Sequence, residues 1–126
     1  MGNEGFIDDR WYGARYAQSA NDDLYQVAGR ILSDVKVDQS TNQIPSSAVI
    51  VVAVMSSHIT VQVHIQEPTQ IKETKPEAVR ARVSAICERY NWHDREDTAV
   101  SRYTHNCQVR MVRGRHDAAV VGSLLG

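Results

Sequence analysis

From Ile59 to Ile65 the chain alternates strictly. Ile59, Val61, Val63 and Ile65 are apolar, and Thr60, Gln62 and His64 between them are polar. A strand turns successive side chains to opposite faces, so this segment is a strand with one buried and one open face. Just before it, Val49 to Met55 is apolar throughout, and Ser56-Ser57 separates the two runs. Together they predict a hairpin. In its first strand Val49, Val51 and Ala53 alternate with Ile50, Val52 and Val54, so both faces are apolar. Such a strand is expected to be covered on both sides or to lie centrally in its sheet. The cover would be the N-terminal arm or another subunit.

Helical spacing appears on either side of the hairpin. Leu24, Val27, Ala28, Ile31, Leu32 and Val35 form one stripe and predict a helix from about Asn21 to Val37. Asn21 would cap it, Asp22 and Asp23 suit the positive end of its dipole, and Lys36 suits the other end. Asp38 to Ser47, with Pro45, reads as a polar loop. The second helix starts at Thr74-Lys75-Pro76-Glu77, where Thr74 and Glu77 fit a capping box and Pro76 is tolerated in the first turn. Its stripe is Val79, Val83, Ile86, Cys87 and Tyr90, with Asn91 as the expected C-cap. His93 to Thr98 reads as a charged loop. A last strand is expected over about Arg102 to Arg113. Tyr103, His105, Cys107, Val109 and Met111 would share one face, and Thr104, Asn106, Gln108 and Arg110 the other. Gly114 ends it, and His116 to Leu125 is expected to form a short helix.

The order is therefore helix, strand, strand, helix, strand, with a short C-terminal element. Two amphipathic helices and a sheet with one clear apolar face make a two-layer α+β domain with a mostly antiparallel sheet. Residues 1–18 hold Phe6, Trp11, Tyr12 and Tyr16, half of the aromatic residues, interrupted by glycines. We read them as an N-terminal aromatic arm, in which Asp8 to Gln18 has room for a short helix, and residues 19–126 as a single domain. So small a sheet has exposed edges, which leads us to expect a homodimer.

Composition narrows the function classes. A chain of 126 residues with 42% hydrophobic and 23% charged residues is an ordinary globular domain with an adequate core. Its formal net charge of -1 supplies no global attraction to nucleic acid or anionic membrane. The apolar run Ala48 to Met55 is too short to span a bilayer, and the first residues lack the basic start and apolar core of a signal peptide. Two cysteines, Cys87 and Cys107, do not make a disulfide framework, so a reduced cytoplasmic setting is expected.

Candidate chemistry is sparse. His58, His64, His93, His105, His116, Cys87 and Cys107 are possible metal ligands, but none has zinc-type spacing. His105 and the two cysteines read as core residues, and no metal or cofactor is expected. Both cysteines lie on apolar faces, unlike catalytic thiols. No nucleophile elbow and no Gly-rich phosphate loop is present, so no enzyme activity is expected. Arg80, Arg82 and Arg89 read as salt-bridged surface through Glu77 and Glu88. The better candidate for contact is the arm: Trp11, Tyr12 and Tyr16 are residue types enriched at binding hot spots. The alternative is a nucleic-acid site on Arg110, Arg113 and Arg115 beside Tyr103.

Ile31-Leu32-Ser33-Asp34-Val35-Lys36 in the first helix and Tyr90-Asn91-Trp92-His93-Asp94 after the second carry a family resemblance. With the Pro-containing loop and the hairpin, they resemble the small large-polyvalent-protein-associated domains of bacteriophages and other mobile elements, over about residues 20 to 112. Met55-Ser56-Ser57-His58 stands where that family has a Gly-rich turn. The resemblance implies no catalytic residues. It implies a setting: an accessory protein of a phage or mobile element, acting on host or defence machinery. We expect it to be non-enzymatic, to lie in the host bacterial cytoplasm and to work by protein–protein interaction. A structural virion component is a further alternative.

Overall fold

The computed structural model describes residues 9–66 and 75–112. Phe6, Thr74, Arg113, Gly114, Arg115, His116 and the expected C-terminal helix lie outside them. The elements are β1 (Arg10–Tyr12), α1 (Leu24–Ser40), β2 (Val49–Met55), β3 (His58–Gln66), α2 (Pro76–Glu88), β4 (Trp92–Asp94) and β5 (Thr104–Val112), with a 3-10 turn at Tyr16–Ser19. The fold is α+β with mostly antiparallel pairing. Its central three-stranded sheet runs β2-β3-β5, and β1 and β4 form a separate two-stranded ribbon.

The hairpin forms as its pattern requires. β2 and β3 pair antiparallel from Val49–His64 to Met55–His58, and Ser56 turns the corner with φ 53°. β5 joins β3 in parallel, with Val61 beside Cys107 and Ile65 beside Met111. Parallel strands need a long crossover, and α2 lies in this one. The alternation of β3 is realised in full: Ile59, Val61, Val63 and Ile65 are completely buried. They meet Val27, Ile31 and Val35 of α1 and Val79, Val83, Ile86 and Cys87 of α2 in one core.

Several local expectations change. α1 begins later than expected, because Asp23 and not Asn21 caps it. Asp23 accepts from the Gln26 N–H, and the Gln26 side chain accepts from the Asp23 N–H. These reciprocal bonds satisfy two donors at the helix start. Lys75 occupies the N-cap position of α2 without a side-chain bond, with Pro76 directly behind it. Arg89, not Asn91, is its C-cap. The loop after α1 is not simply polar, since Ile44 and Ala48 belong to the core.

β2 departs furthest from expectation. Among the described residues it is an edge strand, and residues 9–18 of the arm do not cover it. Val49, Val51, Ala53 and Met55 are exposed on the sheet face opposite the helices, Met55 to 78%. That open face is otherwise polar, with His58, Thr60, Gln62 and His64 on β3 and Thr104, Asn106, Gln108 and Arg110 on β5. Asn106 Oδ1 accepts from Thr60 and His58, and Gln62 donates to Gln108. Arg10–Tyr12, within the stretch given room for a short helix, is instead a strand and pairs with Trp92–Asp94, of which His93 and Asp94 are expected from the sequence in a charged loop.

The helices are joined to each other through α1 carboxylates. Asp34 accepts from Arg89 at 3.2 Å, from Arg15 at 3.1 Å and from the Tyr90 hydroxyl. Asp38, one turn on, is held by Arg82. Arg82 and Arg89 are expected from the sequence to pair with Glu77 and Glu88. Helix packing instead brings them to the neighbouring helix.

Two glycines give opposite expectations. A Cβ on Gly13 would stand 2.1 Å from the Glu88 carbonyl oxygen and 2.4 Å from that of Arg89, both main chain. Gly13→Ala is therefore expected to push the arm off α2, read as faster amide exchange of residues 10–15. Gly29 lies within α1 with nothing near its added Cβ. Gly29→Ala is expected to stabilise the fold by about 0.5–1 kcal/mol in denaturant unfolding.

Candidate functional site

The aromatic ribbon is built on the end of α2. Past Glu88 the chain turns through Arg89 and Tyr90, and the Asn91 side chain enters the interior, 1% exposed. Its Oδ1 accepts from the N–H groups of Trp92 and Tyr103, and its Nδ2 donates to the Tyr103 carbonyl at 3.0 Å and to Glu88. A buried amide so fully bonded incurs little desolvation cost and fixes its surroundings. The chain leaves it as β4.

The arm is fastened to this segment by its main chain. Gly13 N–H donates to the Asn91 carbonyl at 2.8 Å, Arg15 N–H to that of Arg89 at 2.8 Å, and Arg95 N–H to that of Asp9. Opposite residues in an antiparallel pair turn to the same face. Trp11 therefore shares a face with His93, and Tyr12 shares the other with Trp92. On the Tyr12 face, Arg10 lies 3.7 Å from the Trp92 ring centre, Tyr12 stacks on Tyr16 at 4.7 Å, and Arg102 lies 5.1 Å from Tyr16. Cations and aromatic rings attract at such distances.

Arg102 closes this row. Its guanidinium donates to the carbonyls of Ser19, Asp22 and Tyr90 and to the Ser19 hydroxyl. Those bonds tie the 3-10 turn, the start of α1 and the end of α2 to one side chain. A cation there also suits the negative end of α2.

On the Trp11 face lies a charged strut. The Glu88 carboxylate accepts from His93 Nε2 at 2.7 Å and His105 Nε2 at 2.9 Å. His93 Nδ1 donates to the Thr98 carbonyl at 2.8 Å. Both His93 nitrogens thus face acceptors. The Thr98 carbonyl, and after it Glu88, raise the His93 pKa against the opposing effect of burial. Burial pushes the Glu88 carboxyl up, but bonds from His105, His93 and Asn91, with the His93 charge, outweigh it and hold the group at about 2. His105 is therefore bonded to a carboxylate at the rim of the core, not packed as a plain core residue.

The arrangement positions groups. The Glu88 oxygens are already occupied by donors. Among the described residues, no group of three His, Cys, Asp or Glu side chains is placed to hold a metal ion. Burial pushes the Cys87 thiol up to about 12 and raises that of Cys107 as well, so both stay protonated at neutral pH. A groove of about 530 Å³ beside the arm is lined by Arg15, Asp22, Arg30, Asp34 and Tyr90. Its arginines are already paired, Arg15 with Asp34 and Arg30 with Asp22.

Of the three aromatic residues picked out in the sequence, Tyr12 and Tyr16 lie on one face of the ribbon and Trp11 on the other. Trp11 is 57% and Tyr12 42% exposed, and Tyr16 is half-buried beneath Tyr12. Arg110 is exposed on the open sheet face, in register with His64, while Arg113 and Arg115 lie outside the described residues. The sequence reading missed Glu88, Asn91 and Trp92. Their signal was present in Tyr90-Asn91-Trp92-His93-Asp94, where two large aromatic residues flank an amide. Among the described residues, no helix is long and apolar enough to cross a membrane. Comparison with protein-family models, with curated proteins and with solved structures found no match.

The strut predicts a two-sided pH dependence. Glu88 is lowered from 4.5, so its contribution is complete above that pH and is lost as pH falls towards 2. His93 is raised from 6.5, so its contribution is complete below that pH and is lost as pH rises through the folded value. Glu88→Gln should lower the melting temperature at pH 5.5 and flatten its fall between pH 4.5 and 2. Parallel melting profiles for the variant and the parent protein would refute the strut.

Proposed function

We propose that this chain is a non-enzymatic accessory protein that works by protein–protein contact through the β1 aromatic ribbon. The observation that carries this reading is the exposure of Trp11 and Tyr12 on a segment anchored by main-chain bonds. Trp and Tyr dominate binding hot spots because they bury a large area with few rotors. Anchoring the strand in advance reduces the ordering cost at the moment of binding. Val100, 48% exposed, extends the apolar area next to β4, with its carbonyl bonded to the Asp94 N–H. The family resemblance of Ile31 to Lys36 and Tyr90 to Asp94 supplies the setting, a bacteriophage or mobile element acting on host or defence machinery. The partner is then a protein of the bacterial host.

The tagged protein, expressed in a bacterial host, should retain a stoichiometric protein after nuclease treatment. Trp11→Ala with Tyr12→Ala should abolish that capture with an unchanged circular dichroism spectrum. Hot-spot truncations cost about 2 kcal/mol or more each, roughly 30-fold in affinity. Capture that persists in the double variant overturns the role of the ribbon. Capture of nuclease-sensitive nucleic acid moves the function to the arginines around Arg110.

A further inference from the structure

A second surface, away from the ribbon, lies along β2. Seven consecutive residues, Val49-Ile50-Val51-Val52-Ala53-Val54-Met55, form an edge strand without a charge, proline or glycine. Natural edge strands are blunted by charged residues, proline or bulges, because an open row of N–H and C=O groups templates pairing. β2 has none of these, and its hydrogen-bonded register with β3 is unbroken. Among the described residues, no strand pairs with its other side.

Apolar surface lies on both sides of that edge. On the open face, Val49 is 55%, Val51 44% and Met55 78% exposed. On the helix side, Asp34 and Asp38 of α1 turn towards α2, held by Arg89 and Arg82. At 100° per residue, Tyr25, Leu32 and Gln39 stand on the opposite flank of α1. Gln39 donates to the carbonyls of Pro45 and Ala48, the chain entering β2, which places this flank beside the free edge. Tyr25 there is 74% exposed and Leu32 half-buried.

We propose that β2 pairs antiparallel with β2 of a second copy of this chain, joining the two sheets into one of six strands. The geometry of the strand favours a copy of itself. A two-fold axis through Val52, its middle residue, sets Val49 of one copy against Met55 of the other and Val51 against Ala53. Because the strand is uncharged, self-pairing opposes no like charges. The axis also draws the Tyr25 and Leu32 flanks of the two α1 helices together over the seam. Seven residues at about 3.4 Å each give a seam of about 24 Å. Specific interfaces bury about 800 Å² from each partner, so the Tyr25 and Leu32 flanks must add their area to that of the strand edge. The exposed valines and Met55 of the two copies then lie side by side in the middle of the joined open face, flanked by the polar rows of β3 and β5.

Sedimentation from micromolar to hundreds of micromolar protein tests this. The parent chain should have twice the chain mass. Val51→Lys, which places an ammonium group in the seam but not in the core, should raise the dimer dissociation constant about 100-fold. Met55→Lys is a second variant at a still more exposed position, and circular dichroism checks that both fold. The Trp11→Ala, Tyr12→Ala variant should remain dimeric, so this surface and the aromatic ribbon succeed or fail separately. A parent chain that is monomeric throughout overturns the proposal, as does a dimer that both lysine variants retain. A monomer that dimerises only when residues 113–126 are removed gives the edge to the C-terminal segment, and also overturns it.

Discussion

The buried amide of Asn91 holds together the parts of this fold that the hydrophobic pattern alone leaves loose. One side chain, 1% exposed, binds both the N–H and the carbonyl of Tyr103, the N–H of Trp92, and the carboxylate of Glu88. It pairs with Tyr103 much as a neighbouring strand would. The bond to Glu88 is needed at the end of α2, those to Tyr103 just before β5, and that to Trp92 at the start of β4. An aspartate would lose the donor for Tyr103 and Glu88, and a leucine would leave buried main-chain groups unpaired, at about 1–3 kcal/mol each. The Tyr103 hydroxyl reinforces the joint from the other end by donating to the Cys87 carbonyl.

From that joint the rest follows in order. β5 starts at a fixed point and runs parallel to β3, because α2 has carried the chain back across the layer. β4 leaves in the other direction and gives the arm a strand to pair with. Glu88, drawn to the joint by Asn91, meets His93 and His105 and so braces β4 and β5 against the helix end. Arg102, next to Tyr103, reaches the opposite way and gathers the 3-10 turn and the start of α1. The ribbon is therefore an outgrowth of the core, and its exposed aromatic residues keep their places.

The regular parts were legible because periodicity depends only on which face meets the core. The alternation in β3 names four completely buried side chains, and the stripes of α1 and α2 contain the core residues of both helices, with Leu24 and Leu32 only partly buried. Pattern carries less information at element ends, where a local bond decides. Asn21 and Asp23 are equally good capping types, and the Gln26 side chain settles the choice in favour of Asp23. Pairing partners were illegible for a related reason. Arg82 and Arg89 have acidic neighbours in sequence, but reach Asp38 and Asp34 across the helix interface. β2 is the instructive failure. An all-apolar strand implied cover on both faces or a central place in the sheet, yet among the described residues only the helix side is covered and β2 lies at the edge.

That failure and the aromatic ribbon have a common physical meaning. A sequence that keeps local and global preferences consistent departs from consistency mainly where function asks for it. Val49, Val51 and Met55 lie in water on a strand composed for an interior. Trp11 lies in water although the same ribbon half-buries Trp92 and Tyr16. Neither exposure follows from a shortage of core, since α2 buries its stripe and α1 buries Val27, Ile31 and Val35 completely. The two surfaces also differ in kind. The β2 edge offers open main-chain bonding and uncharged aliphatic rows, which suit a strand of the same composition. The ribbon has used its main chain on β4 and offers large rings beside fixed charges, which suits a different partner. If β2 pairs as proposed, the dimer presents two copies of the aromatic ribbon at once, and each weak contact strengthens the other.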